Sequence, residues 1–495
     1  MLSGFFAKTV DFVFRAYYSQ RLGGEGLGIL SLCFAVHGIM LNISSGGIGV
    51  AISKLVSEQL LKKEYGRAKT TISVALWHTA VISIAVAVAV MLSAEYIAEV
   101  FLKEPRGARC IVYISPSIVF MGISYCIKGY FYASRRVFSP ASSEFLEQLV
   151  KISVITLLLS MWLPLGVEKG CEAVCLGLSI GEFCSCMYLL MFYVAEQRKN
   201  RSTGYSGLKI YTDIIKISLP VAISALAMSF LRLREDVLVI SALKKSGMEH
   251  KNALRIYGNI KGMIMPLIIF PLTLLSSFFT MLVPEISRAC SMESKVRLKT
   301  LVSKIYRFCT TLGFAVMCVF MIFSESLAEM IYSAPEISDW LKAISLFVPF
   351  MFMDSVSAGI LNGMGRQTSL LIHGLSDSVI RIILVWALVP RFGINAFLLV
   401  IAVSNIFTCT LTVSGVLKSA DMSFRVFGWC LKHLICSGAT IYTVQNMFSG
   451  FAYGSSEKTI FGICLTAVLY IFWAGALEGN TRSDFRWLMN RAFLS

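Results

Sequence analysis

Apolar residues gather in this chain into runs of ~17–28 residues, each long enough to cross a bilayer as a helix. The runs fall at approximately 2–20, 27–53, 71–97, 108–133, 143–163, 171–195, 211–243, 254–283, 301–325, 338–363, 371–390, 394–417, 427–447 and 459–478, with polar residues mostly in the short stretches between. The pattern predicts an all-α polytopic membrane protein with about fourteen spanning helices. The first run is short and charged, and it reads as a spanning helix: Lys8, Asp11 and Arg15 interrupt any signal-peptide core, and no small-residue cleavage site follows.

Charge breaks the pattern most sharply in the seventh run, at "FLRLREDVLVI" (230–240). Arg232, Arg234, Glu235 and Asp236 lie deep in an apolar stretch. At 1.5 Å per residue, Arg232 is about 16 Å from the end of its run, near the bilayer midplane. Charge at that depth is costly and normally faces a protein interior or a wet cavity. Arg232 can reach Glu235 at i+3 and Asp236 at i+4, while Arg234 points to another face. The first run carries a similar pair, Asp11 and Arg15, spaced i, i+4. Two such helices facing each other would line a central cavity. The plainer alternative is a set of self-neutralised ion pairs that hold the molecule together. Asp354 and Lys261, isolated in the tenth and eighth runs, are further cavity candidates.

The two charged helices also occupy matching places in a repeat. "GYFYASRRVFSPASSEFLEQLVKI" (129–152) aligns without a gap to "GILNGMGRQTSLLIHGLSDSVIRI" (359–382). Arg136 then meets Arg366, Glu147 meets Asp377 and Lys151 meets Arg381, with Pro116 and Pro349 similarly placed in the preceding runs. The expected organisation is an N-terminal six-helix lobe (1–200), a C-terminal six-helix lobe (201–420) and two added helices with a cytoplasmic tail (421–495). Because each repeat has an even number of helices, an axis along the membrane normal relates them. Glu147/Lys151 and Asp377/Arg381, each i, i+4, read as structural pairs. Prolines 116, 220, 266 and 271 (Pro116, Pro220, Pro266, Pro271) would kink their helices. Gly46, Gly47 and Gly49 in "SSGGIG" form a flexible point or, equally, a close-packing surface.

Loop charge sets the orientation. Lys54, Lys62, Lys63, Arg67 and Lys69, then Arg198, Lys199, Arg201 and Lys209, then Arg288, Lys295, Arg297, Lys299 and Lys304, and finally Arg482, Arg486 and Arg491 all fall on one side. That side, with both termini, reads as cytoplasmic. One opposite loop, with Lys244, Lys245 and Lys251, runs against the rule.

Composition agrees: 56% hydrophobic and 15% charged residues, against roughly 45–50% and about 25% in soluble domains. The net charge of +16 does not imply nucleic acid, because the basic residues sit in short loops where anionic lipid headgroups are the partner. Most of the 14 cysteines lie in apolar runs as small fillers, the five histidines are scattered, and no zinc spacing occurs. No metal or cofactor is expected. A P-loop and an HExxH motif are absent, so transport would be secondary or driven by the membrane potential, and an enzyme is not expected.

"YYSQRLGGEGLGILSLCFAVHGIMLNISSGGIGVAISKLVSEQLLKKEYGRAK" resembles the first repeat of the multidrug/oligosaccharidyl-lipid/polysaccharide exporter superfamily, and "MIMPLIIFPLTLLSSFFTMLVPEISRA" and "LVPRFGINAFLLVIAVSN" resemble its second half. The likeness is strongest to the polysaccharide-flippase and stage V sporulation protein B-like branch, with lipid II flippases and multidrug and toxin extrusion transporters more distant. It implies alternating access between two six-helix lobes, in a bacterial cell membrane. It also implies flipping of undecaprenyl-diphosphate-linked sugars for cell wall, polysaccharide or sporulation. Lipid II flippases place essential arginines in a central cavity, one on the first helix, and Arg15 is the matching residue here. Two departures stand out: the chain starts late, and Gly49 stands where relatives often have proline.

The expected cargo is therefore a lipid-linked oligosaccharide or peptidoglycan precursor. Arg15, Arg232 and Arg234 would hold its diphosphate, and Asp11, Glu235 and Asp236 would weaken that grip or bind a coupling Na⁺ or H⁺. The chain is expected to act as a monomer. A cation-coupled multidrug exporter and a non-transport envelope-assembly protein are the alternatives.

Overall fold

The computed structural model describes residues 2–197, 207–291, 295–422, 426–448 and 456–478, and every regular element in them is helical. The α-helices are α1 (Leu2–Ser45), α2 (Ile48–Leu61), α3 (Tyr65–Leu92), α4 (Ala94–Tyr96), α5 (Ala108–Ala133), α6 (Phe138–Trp162), α7 (Val167–Gln197) and α8 (Gly207–Lys245). They continue with α9 (His250–Gly258), α10 (Met265–Ser291), α11 (Lys295–Tyr332), α12 (Ser338–Ser345), α13 (Val348–Gly363), α14 (Gln367–Ala420), α15 (Val426–Phe448) and α16 (Ser456–Glu478). The basic residues Arg198, Lys199 and Arg201, and the tail with Arg482, Arg486 and Arg491, lie outside the described residues.

Among the described residues ten helices are long and apolar enough to cross a membrane, or eleven with the bent pair Pro335–Ser345 and Val348–Gly363, which meet at 59°. The number is below fourteen partly because two candidates, Ala7–Leu61 and Gln367–Ala420, run on through a break. Those breaks are at Gly23 (φ 65°, ψ −179°) and Gly393 (φ 60°, ψ −136°). The outer surface is apolar, with Trp77, Leu92, Trp386 and Phe472 all exposed, as lipid contact requires.

The prolines do not break their helices. α5 and α8 run on through Pro116 and Pro220. Pro266 follows a π-helical turn at Asn259–Ile264, and such a turn re-accommodates the carbonyl that a proline leaves unbonded. The chain does break at Gly46–Gly47, where Gly47 (φ 73°) opens α2, while Gly49 lies inside α2 against Gly129 of α5.

Corresponding turns in the two halves of the chain have the same backbone. After α5, Arg135 takes φ 58° and the amides of Ser134 and Arg136 bond to Tyr130 and Phe131. After α13, Gly365 takes φ 74° and the amides of Met364 and Arg366 bond to Ile360 and Leu361. Lys103 (φ 56°) precedes a 3₁₀ turn opened by Pro105, and Ser333 (φ 50°) precedes one opened by Pro335.

Burial is organised differently at the two ends of the bundle. At the end holding Gly23 and Gly393, one continuous core joins both halves of the chain, from Leu22–Val36 and Cys110–Ile114 to Val239–Ile268 and Val385–Ile401. At the end holding the start of α1, the core splits. One part gathers α2, α3, α5 and α7 with the start of α8 (Ile210, Ile214), and the other gathers α10, α11, α13 and α14. The molecule is closed at one end and divided at the other. α15 and α16 pack on α11, where His433 Nδ1 lies 2.8 Å from the Tyr470 hydroxyl. None of the fourteen cysteines is in a disulfide: ten are buried, Cys184, Cys290 and Cys430 are half-buried, and Cys464 is exposed on α16.

Gly23 is in a region of φ/ψ that only glycine occupies without strain, with open space where a Cβ would go. Gly23→Ala is therefore expected to destabilise the purified protein by about 1–3 kcal/mol through backbone strain alone. Gly38→Ala, in an open helical position, should leave the melting temperature unchanged or raise it slightly.

Candidate functional site

Two adjoining cavities lie on the divided side of the closed core, and both are lined by Asp11 and Arg15 of α1. The larger, of about 560 Å³, is bounded by α1, α5, α6 and α10, with Lys8, Lys128, Glu144, Glu147 and Gln148 on its wall. The smaller, of about 250 Å³, lies within the first half, with His37, Ser117, Lys151 and Glu182. The larger is within the range of small-molecule sites, roughly 300–1,000 Å³.

The charges of α1 do not neutralise each other. Asp11 Oδ1 accepts from Lys151 Nζ of α6 at 3.1 Å and from Gln148 at 3.4 Å. Lys128 pairs with Glu144 at 3.1 Å. Arg15 makes no ion pair with a described residue, and its Nε is buried without a hydrogen-bond partner. Across the cavity mouth, Phe12 stacks on Phe270 of α10 at 4.2 Å between centroids, and Lys8 Nζ donates to the Thr273 carbonyl at 3.2 Å.

The four charges of "RLRED" separate in the structure. Glu235 and Asp236 are buried, but their partners are not Arg232. Arg381 of α14 lies 2.8 Å from Glu235, and Lys261, in the π-helical turn, lies 3.0 Å from Asp236. Both are close charge contacts in which the carboxylate oxygen accepts no aligned hydrogen bond. Arg232 and Arg234 are exposed, Arg234 over the Phe230 ring at 5.7 Å, and neither lines the two cavities that contain Arg15. Asp354 accepts from Thr412 at 2.9 Å, between α13 and α14, away from both cavities. The expected Glu147/Lys151 and Asp377/Arg381 pairs do not form as written. Each cation instead reaches an acid on the leading helix of its half, Asp11 or Glu235. Helical spacing allowed the intrahelical pairs, but a neighbouring helix offered a closer carboxylate.

Sequence reasoning overlooked Lys128 and Glu182. Each is a lone charge in an apolar run, "YCIKGY" and "SIGEFCS", so the scarcity of charge that singled out Arg232 would have found them. "GLSIG" (177–181) has the spacing of a hydrolase nucleophile motif, but it lies inside α7, and Ser179 donates to the Tyr113 carbonyl at 2.6 Å. The motif requires a strand-to-helix turn, so it carries no such chemistry here.

The pairings change what substitutions should do. Lys261→Ala would strand the buried Asp236 carboxylate, at a cost of about 3–5 kcal/mol. Lys261→Ala with Asp236→Ala should recover most of that stability. Arg232→Ala should stay within about 0.5 kcal/mol of the parent, as exposed positions usually do. Thermal melting of the four purified proteins measures all three outcomes.

The model of a family described as polysaccharide biosynthesis protein matches residues 1–290, and the model of the MatE family matches 247–387. Stage V sporulation protein B of Bacillus subtilis (strain 168) is 23% identical over 480 residues, covering 95% of this chain and 92% of that protein. The lipid II flippase MurJ of the same organism is 20% identical over 455 residues, covering 86% of this chain and 82% of its own. Among solved structures, lipid II flippase MurJ in an inward closed conformation superposes with a TM-score of 0.70 at 14% identity, over 97% of this chain and 98% of its own. An inward-facing multidrug resistance MATE family transporter gives 0.66 at 14% identity, over 84% and 94%. At these identities the structural likeness speaks for the fold.

Proposed function

The chain belongs to the polysaccharide biosynthesis protein family and is a membrane transporter of the multidrug/oligosaccharidyl-lipid/polysaccharide exporter superfamily, and on that premise we propose that it flips a polyprenyl-diphosphate-linked oligosaccharide or peptidoglycan precursor from the inner to the outer leaflet of a bacterial cell membrane by alternating access. The observation that carries this reading is Arg15. It stands where the two cavities meet, and its Nε is buried without a partner. A guanidinium in that position is ready for a ligand oxygen, and its planar fork suits a diphosphate. The other cavity cations have local contacts: Lys151 with Asp11, Lys128 with Glu144, and Lys8 with the Thr273 carbonyl.

The working unit in this reading is two six-helix lobes, 1–200 and 201–420, with 421–495 as an addition. The matching turns and the parallel Lys151–Asp11 and Arg381–Glu235 contacts support it. The divided end would face the cytoplasm, because Lys54, Lys62, Lys63, Arg67 and Lys69 lie there. The potential then helps: two negative charges moving outward gain ~4–5 kcal/mol per 100 mV.

A second reading, a cation-coupled drug exporter, draws on the MatE match and on the carboxylates Asp11, Glu144, Glu147 and Glu182, which equal in number the cations Lys8, Arg15, Lys128 and Lys151.

Proteoliposomes carrying a labelled polyprenyl-diphosphate sugar distinguish the two. Arg15→Ala should slow flipping by about 10- to 100-fold, the loss expected for a charge-assisted hydrogen bond. Arg15→Lys should recover part of the rate, and thermal stability should not fall in either variant. Wild-type flipping by Arg15→Ala would sink the diphosphate reading. Cation-dependent drug efflux with no sugar-lipid flipping would favour the second.

A further inference from the structure

At the closed end, charged side chains from four helix junctions converge. Glu104 is 2% exposed, and Arg106 grips both of its oxygens, Nε to Oε1 at 2.6 Å and Nη2 to Oε2 at 3.1 Å. The same guanidinium reaches Glu25 at 2.6 Å and Glu168 at 3.9 Å. All four residues belong to the first half of the chain. The second half adds the first two residues of α9: His250 Nε2 donates to Glu104 Oε2 at 2.8 Å, and Lys251 Nζ stands 3.5 Å from Glu25 Oε2. One turn or two further on, α9 crosses α1 backbone to backbone. A Cβ on Gly258 would collide with the Gly24 carbonyl, and one on Gly28 with the Leu254 carbonyl.

We propose that the Glu104–His250 hydrogen bond and the Glu25–Lys251 charge contact form a latch, seated on the glycine crossing, that holds this end of the transporter shut and that is released when the end opens. The division of partners makes the latch reversible. Burial alone would raise the Glu104 carboxyl, but hydrogen bonds from Arg106 and His250 outweigh it and hold it below the usual carboxylate range. Arg106 stays with Glu104 when the halves part, so opening breaks two contacts without stranding a buried charge, the costly event in low dielectric. The glycine crossing supplies the second requirement. Side chains of ordinary length there would hold α1 and α9 apart, beyond the reach of His250 and Lys251. That this end faces the outside rests on the orientation proposed above; the latch does not.

Hydrogen–deuterium exchange on the full chain in nanodiscs tests it without reference to cargo. His250→Ala with Lys251→Ala should raise exchange of residues 20–28 and 250–262 about tenfold, the effect of losing one charge-assisted hydrogen bond, and leave α3, α11 and α14 unchanged. Gly258→Ala, which forces the crossing apart with the latch residues present, should raise the same segments and sets the size of the signal. If the double variant is poorly produced, Lys251→Ala alone, on a side chain 66% exposed, should give a smaller rise in those segments. Unchanged exchange there overturns the latch. So does a rise spread over every helix, because the contacts would then be holding the fold together rather than one end of it. If the latch behaves as expected and Arg15→Ala still flips normally, the cargo reading fails and the latch stands.

Discussion

A charge in hydrocarbon must find a counter-charge, and most of this architecture can be traced to how each half meets that demand. The leading helix of each half carries acid deep in its span, and a cation on the next-to-last spanning segment of that half reaches across to it: Lys151 to Asp11, Arg381 to Glu235. These contacts fix the rotation of α1 and α8 about their own axes, because turning either helix would bring a carboxylate into lipid. Once those faces are fixed, the apolar faces of the same helices point to the shared core at the closed end.

The halves then differ. In the second half both acids of the leading helix meet cations, Lys261 on Asp236 and Arg381 on Glu235. The first half leaves Arg15 over and surrounds it with space. A guanidinium that faces a cavity with a buried, unused donor has something to offer a ligand. The two halves thus differ in where their charges stand, on a backbone whose turns repeat.

Much of this was legible in the sequence because hydrocarbon is a demanding solvent. Apolar runs of spanning length located the helices, and the loneliness of Asp11, Arg15, Glu235 and Asp236 marked them as partnered or functional. Partner identity was less legible. Helical spacing offered Arg232 to Asp236 and Glu147 to Lys151, but contacts between different helices, Lys261 to Asp236, Lys151 to Asp11 and Arg381 to Glu235, prevailed, and no local pattern ranks those. Exposure was also hidden: Arg232 and Arg234 share a short stretch with two buried acids and point elsewhere. The glycine crossing is half visible in the sequence, since "LGGEGLG" lies in the stretch that resembles the exporter superfamily and its opposite number around Gly258 and Gly262 does not.

The distribution of thiols has a practical consequence. A cysteine reacts as its thiolate, which needs water. Ten of the fourteen are buried, and the exposed one, Cys464, sits in the middle of an apolar span. Towards water-soluble reagents the native chain is close to silent, with Cys290 near the end of α10 the main exception. A single cysteine introduced in a wet loop should therefore report its surroundings against a dark background, without stripping the protein of the sulfur that fills its core.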